Sequence, residues 1–132
     1  MKKEITSHKD LRVWRKATRL ARECLAVVSA FPDQATPLGR RIRRKAEVVS
    51  YEIERGYQFQ QLAPYLHHLN RARNQVQRLE PLLIEGCGKS WIDDAAGDRL
   101  LRRSSEIHRM LGKLIVSLEA TSHSRRRQIT AK

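Results

Sequence analysis

Between residues 62 and 83 apolar side chains recur with a period of seven. Leu62, Leu69, Val76 and Leu83 form one series, and Tyr65, Ala72 and Leu79 interleave as a second. Steps of three and four residues put both series on one face of an α-helix, and such a seam must be buried against other helices. Nothing in the chain alternates with the period of two that a strand needs, which points to an all-α fold.

Three further amphipathic segments share this logic. A first helix is expected from about Asp10, as cap, to Ala30, where Phe31-Pro32-Asp33 ends it. Val13, Ala17, Leu20, Ala21, Cys24, Val27, Val28 and Phe31 form its inner face, with Trp14 on the flank. A second begins at Thr36-Pro37, with Thr36 as cap and Pro37 in the first turn, and Gly56 closes it. Leu38, Ile42, Ala46, Val49 and Ile53 face inward. The seven-residue seam forms the third helix; Pro64 suits its first turn, Pro81 is expected to bend or end it, and Glu85-Gly86-Cys87-Gly88 reads as a turn. A fourth starts at Asp93-Asp94 and runs to about Ala120, burying Leu100, Ser104, Ile107, Leu111, Leu114 and Leu118. Four such helices with short connections predict an antiparallel up-and-down bundle over residues 1–122, followed by a basic, disordered tail over 123–132. At 132 residues the chain can bury one core and not two.

Charge is unevenly spread along this frame. The net charge is +13. Residues 1–45 carry thirteen Lys or Arg against four acids, residues 46–124 carry ten against ten, and the last eight residues add Arg125, Arg126, Arg127 and Lys132. On the first helix Arg12, Arg15, Lys16, Arg19 and Arg22 fall within an arc of about 120°, at roughly 100° per residue, opposite the apolar face. On the second, Arg40, Arg41, Arg43, Arg44 and Lys45 crowd the first turns, where cations oppose the positive end of the helix dipole. A phosphate backbone would relieve that penalty. A solvated face, or pairing of Arg43 or Arg44 with Glu47, Glu52 or Glu54, is the plainer alternative.

Catalytic chemistry finds no frame. His67 and His68 are adjacent and diverge by about 100° on a helix. Cys87 lacks a Cys-x-x-Cys partner, and Glu52 and Glu54 point to different sides, so neither a metal site nor a carboxylate pair is expected. No cofactor motif is present. Cys24 and Cys87 read as free thiols, with Cys24 a small core residue. Trp14 could stack on a base, but its position beside the apolar stripe favours core or interface. With no apolar run of about 20 residues and no signal-peptide core, a cytoplasmic location is expected, and no membrane partner.

The early segments resemble the four-helix-bundle proteins related to those encoded in intervening sequences of bacterial 23S rRNA genes. His8-Lys9-Asp10-Leu11-Arg12-Val13-Trp14-Arg15-Lys16-Ala17 is similar to the family's opening F-x-D-L-x-V-W-x-K-A. Phe31-Pro32, Leu38, Arg41-Ile42-Arg43-Arg44-Lys45-Ala46, Ile53 and Gly56 continue the likeness in order and spacing. Ser50, Glu52 and Arg55 replace the family's usual proline, asparagine and glutamate, marking a divergent member. The resemblance implies a left-handed bundle assembled as a ring-like homopentamer. It also implies affinity for RNA or DNA, since a related basic group serves as accessory subunits of diversity-generating reverse transcriptases. The expected function is therefore a non-enzymatic, oligomeric nucleic-acid-binding protein, RNA before DNA, contacting phosphates through the ten basic residues of the first two helices. The alternative is an adaptor whose basic face docks an acidic protein or a polymerase-like partner. Trp14, Tyr65, Leu101 and Ile115, flanking the seams, are the apolar surplus that self-association would cover.

Overall fold

The computed structural model describes the backbone of residues 8–130 and the side chains of residues 11–121. Four helices account for nearly all of it: α1 (His8–Val28), α2 (Thr36–Tyr57), α3 (Leu62–Gly88) and α4 (Asp94–Thr130), with a single 3-10 turn at Asp33–Ala35 before α2. Each helix packs on its neighbours in chain order and α1 also closes on α4, while among the described residues the backbones of the diagonal pairs make no close approach. This is the expected antiparallel four-helix bundle.

The α3 seam forms the middle of the core. All seven of its repeat residues are buried, together with Leu38, Ile42, Ala46, Val49 and Ile53 of α2 and Val13, Ala17, Leu20 and Cys24 of α1. From α4 come Leu100, Ile107, Leu111, Leu114 and Ile115, plus Ser104, whose hydroxyl donates to the Leu100 carbonyl at 2.9 Å. Ile115, read as apolar surplus, lies inside this core, and so does Tyr65, read both as a seam residue and as surplus; Trp14 and Leu101 remain half-buried on its edge.

Several boundaries differ from the sequence reading. Because α1 begins at His8, Asp10 lies within its first turn and does not cap it. Thr36 is already helical: the N-cap of α2 is Ala35, at the end of the 3-10 turn, with no capping side chain. Helix α3 does not end at Pro81 but continues to Gly88. Pro81 is exposed and costs about 3 kcal/mol in a helix interior, whereas Leu79, Leu82, Leu83 and Gly86 around it are buried, and full burial of each leucine returns about 1.5–3 kcal/mol. Burial wins. The reversal comes instead at Lys89–Ile92, where the amides of Trp91 and Ile92 both donate to the Gly86 carbonyl and Ser90 adopts a left-handed φ of 61°. Asp93 then caps α4, its Oδ1 accepting from the Ala96 amide at 2.9 Å. Finally, α4 continues beyond Ala120 to Thr130, because no glycine or proline interrupts residues 113–130, so most of the segment expected to be a disordered tail is helical. Ala131, Lys132 and the side chains of the tail arginines lie outside the described residues.

Gly56 was expected to close α2, which ends one residue later at Tyr57, and it sits in that last turn without a positive φ. Its role is close approach: a Cβ there would stand 2.8 Å from His68 Cβ and 3.1 Å from the Tyr65 ring. That proximity delivers His68 of α3 to Glu52 of α2, with Nδ1 and Oε2 2.6 Å apart. Glu52 is buried and also accepts from Arg71 at 3.3 Å, and His68 stacks on Phe59 with ring centres 5.4 Å apart.

Candidate nucleic-acid interface

The five cations of the α1 stripe do not stand alone. Glu23, four residues after Arg19 on the same helix, accepts from Arg19 at 3.1 Å and from Arg103 and Arg99 of α4 at 2.8 and 3.4 Å. About two turns before Glu23, Lys16 bridges to Glu106 of α4 at 2.8 Å. The hydrogen bond from Lys16 holds the Glu106 carboxyl below the usual carboxylate range, and the charges of Lys16, Arg12 and Arg109 add to this against the opposing effect of burial. Arg12 lines a small cleft between α1 and α4 with Met110, Lys113, Leu114 and Ser117, about 240 Å³ in volume. Arg15 and Arg22 are exposed and form no ion pair among the described residues.

The stripe therefore continues onto α4. Arg99, Arg102, Arg103, Arg109 and Lys113 fall within one arc of about 120° at 100° per residue, the arc that adjoins α1. These five were missed because residues 46–124 are neutral as a block. A helical projection of α4 alone would have found them, since the block's compensating acids lie mostly on other helices and faces. The combined α1–α4 surface holds ten cations, and the carboxylates they ion-pair with are Glu23 and Glu106.

The α2 cluster is different in kind. Arg40, Arg41, Arg43 and Arg44 are exposed and Lys45 is half-buried. Arg43 is paired to Glu47 within the same helix at 2.9 Å, one of the alternatives the sequence allowed; Glu52 is engaged on α3 and Glu54 takes no part. Arg40, Arg41, Arg44 and Lys45 have no carboxylate partner among the described residues. They sit in the first turns of a helix whose N-terminus has no capping side chain and no acid in its first turn, so the dipole and the side chains sum to one positive end. No ion pair joins this cluster to the α1 stripe. The molecule presents two basic regions, one stitched across α1 and α4 and one local to the start of α2.

Other sequence candidates resolve simply. Trp14 is half-buried in a cleft of about 300 Å³ with Leu11, Ile53, Glu54, Tyr57 and Gln58 between α1 and α2. Cys24 and Cys87 are both free; burial, with the Glu23 charge adding, pushes the Cys24 thiol up to about 12. Among the described residues no three His, Cys, Asp or Glu side chains group as a metal site requires, and no helix is long and apolar enough to cross a membrane.

Residues 9–113 match the family model for the 23S rRNA-intervening sequence protein. The chain belongs to this family. The matched span includes both basic clusters and the α4 arc up to Lys113. Among solved structures, a protein of unknown function from the S23 ribosomal protein family of Bacteroides thetaiotaomicron VPI-5482 is similar over 81% of this chain and 97% of its own, with 20% identity and a TM-score of 0.76. At that identity the likeness concerns the fold. No curated protein sequence matches the chain.

Proposed function

We propose that this family member is a non-enzymatic, cytoplasmic nucleic-acid-binding protein that takes RNA in preference to DNA and contacts phosphates. The observation that carries the reading is the start of α2, where Arg40, Arg41 and Arg44 stand exposed and without carboxylate partners at the positive end of a helix. Keeping like charges together there is unfavourable unless a polyanion completes the field. The α1–α4 face, through Arg12, Arg15, Lys16, Arg19 and Arg22 with Arg99, Arg102 and Arg103, supplies a second row of phosphate contacts. Such contacts carry no base information, so binding is largely independent of sequence. The preference for RNA rests on the family description. We further propose self-association as a ring, a pentamer first, which repeats each patch around an axis and combines weak contacts by effective concentration. Leu11 and Tyr57, exposed around the half-buried Trp14, are apolar surface for such a contact.

The test is fluorescence polarisation of RNA and DNA strands of one sequence across a salt series, with native mass measured on the same sample. Affinity should fall steeply with salt, by about 0.7–0.9 log unit per log unit of salt for each phosphate contact. Binding that is absent at low salt would remove the reading and leave a basic adaptor for an acidic protein. A mass of 15.4 kDa alone would remove the ring.

A further inference from the structure

The cleft between α3 and α4 shares Arg109 and Lys113 with the α1–α4 face and adds a cation from α3 that belongs to neither basic region. It is lined by Arg73 of α3 and by His108, Arg109, Gly112, Lys113 and Ser117 of α4, with a volume of about 510 Å³ and no carboxylate in its wall. Arg73 is half-buried, and its Nε donates to His108 Nε2 at 3.3 Å. Lys16 and Arg103, half-buried where α1 meets α4, are matched by carboxylates of the facing helix. Arg73 meets an imidazole nitrogen instead of a carboxylate, and its Nη nitrogens have no acceptor among the described residues. Glu106 shares the α4 arc of Arg109 and Lys113 and is engaged by Lys16 of α1 at 2.8 Å, and it does not line the cleft.

We infer that this cleft is an oxyanion site that takes a phosphate group. His108 fixes one edge of the Arg73 guanidinium, which leaves the Nη edge free to fork onto two phosphate oxygens. The guanidinium lies against α4 at Gly112, where a Cβ would meet Cζ, Nε and Nη2 at 3.8 Å, an ordinary van der Waals contact. Lys113 and Arg109 add charge from the rim, and the Ser117 hydroxyl is a further donor. Lys113 and Ser117 also line the α1–α4 cleft that holds Arg12, so the site lies one helix away from the α1 stripe and does not use the α2 cluster.

Calorimetric titration of the full chain with inorganic phosphate, against sodium chloride at matched ionic strength, tests the site. Saturable binding is expected for phosphate and not for chloride. Arg73→Met should weaken it at least tenfold and Lys113→Ala, at an exposed residue, about threefold or more. The combined Arg40→Ala, Arg41→Ala, Arg43→Ala and Arg44→Ala variant should bind phosphate like the wild type even if it loses RNA, which separates this inference from the proposed function. A 5′-phosphorylated RNA oligonucleotide that binds more tightly than its dephosphorylated form, by a ratio that Arg73→Met abolishes, assigns the site to a strand end. Equal binding of the two oligonucleotides, with phosphate still saturating, assigns it to free phosphate. Absence of saturation with phosphate, or retention of wild-type binding in both single variants, overturns the site.

Discussion

The basic segments of α1 and α2 each carry five cations, but they spend them differently. On α1, Lys16 and Arg19 are drawn into a lattice in which Glu106 and Glu23 tie the helix to Lys16's and Glu23's partners on α4. On α2, the single ion pair, Arg43 to Glu47, stays within the helix and fixes no tertiary contact. The first arrangement couples charge to the packing of the bundle, and the second leaves charge for whatever approaches from solvent. Counting Lys and Arg along a sequence treats the two as equal; the partners of each side chain separate them.

The largest test of this contrast is to remove unpaired and paired cations separately. Arg40→Ala, Arg41→Ala and Arg44→Ala together should reduce the salt slope of nucleic-acid binding by up to about 2–3 log units, while the unfolding midpoint holds or rises slightly. Lys16→Ala with Arg19→Ala should lower the slope by less than about 1, because these cations are partly neutralised already. Equal losses in polarisation assays would erase the distinction. Next in size, Glu23→Ala should cost about 1–3 kcal/mol in urea unfolding, since Arg103 and Arg99 lose their acceptor at a half-buried seam, with nucleic-acid affinity unchanged or higher. A loss of affinity would mean that Glu23 orders the binding face.

Alkaline unfolding separates the inner face of α1 from its charged one. Cys24 titrates near 12 when folded and near 9.0 when free, so the unfolded chain releases its proton first and stability should decline as pH rises from about 9 to 12. Cys24→Ala should flatten that decline, as read by denaturant midpoints across the range. The smallest effect belongs to Glu106. Its pKa is lowered on folding, so its contribution is present above the free value of 4.5 and is lost as pH falls through the folded value. The stability difference between wild type and Lys16→Ala should be within about 1 kcal/mol at neutral pH and shrink below pH 4.5.

Much of the bundle was legible because its information is periodic. Leu62 through Leu83 are buried in the order their spacing dictates, and Asp93 caps α4 where a cap was expected. Local signals misled where tertiary burial overrode them. Pro81 reads as a stop until the apolar residues on both sides of it are known to be inside, and Gly56 reads only as a terminus until His68 is seen against it. Tyr65 and Ile115 looked surplus because a wheel cannot show how wide a face its neighbours cover. At the candidate interface the ten sequence residues were visible as charge, but their division into paired and unpaired sets depends on Glu23, Glu106, Arg99 and Arg103, which are brought together by the closure of α1 on α4. The α3–α4 cleft was invisible for the same reason: Arg73 and His108 are thirty-five residues apart.

The contact at Gly56 also bears on how this chain can change by descent. The gap between α2 and α3 at that point is set by an atom that is missing, and the facing atom is a backbone-attached Cβ that cannot rotate away. Any side chain at position 56 must push the helices apart, and with them the Glu52–His68 pair that depends on their closeness. Overpacking of this kind costs about 1–3 kcal/mol before the lost pair is counted. Losing the Glu52–His68 pair does not lift this constraint, because any residue but glycine at 68 keeps the Cβ and the Tyr65 ring stays beside it, so the glycine is held by the helix spacing itself.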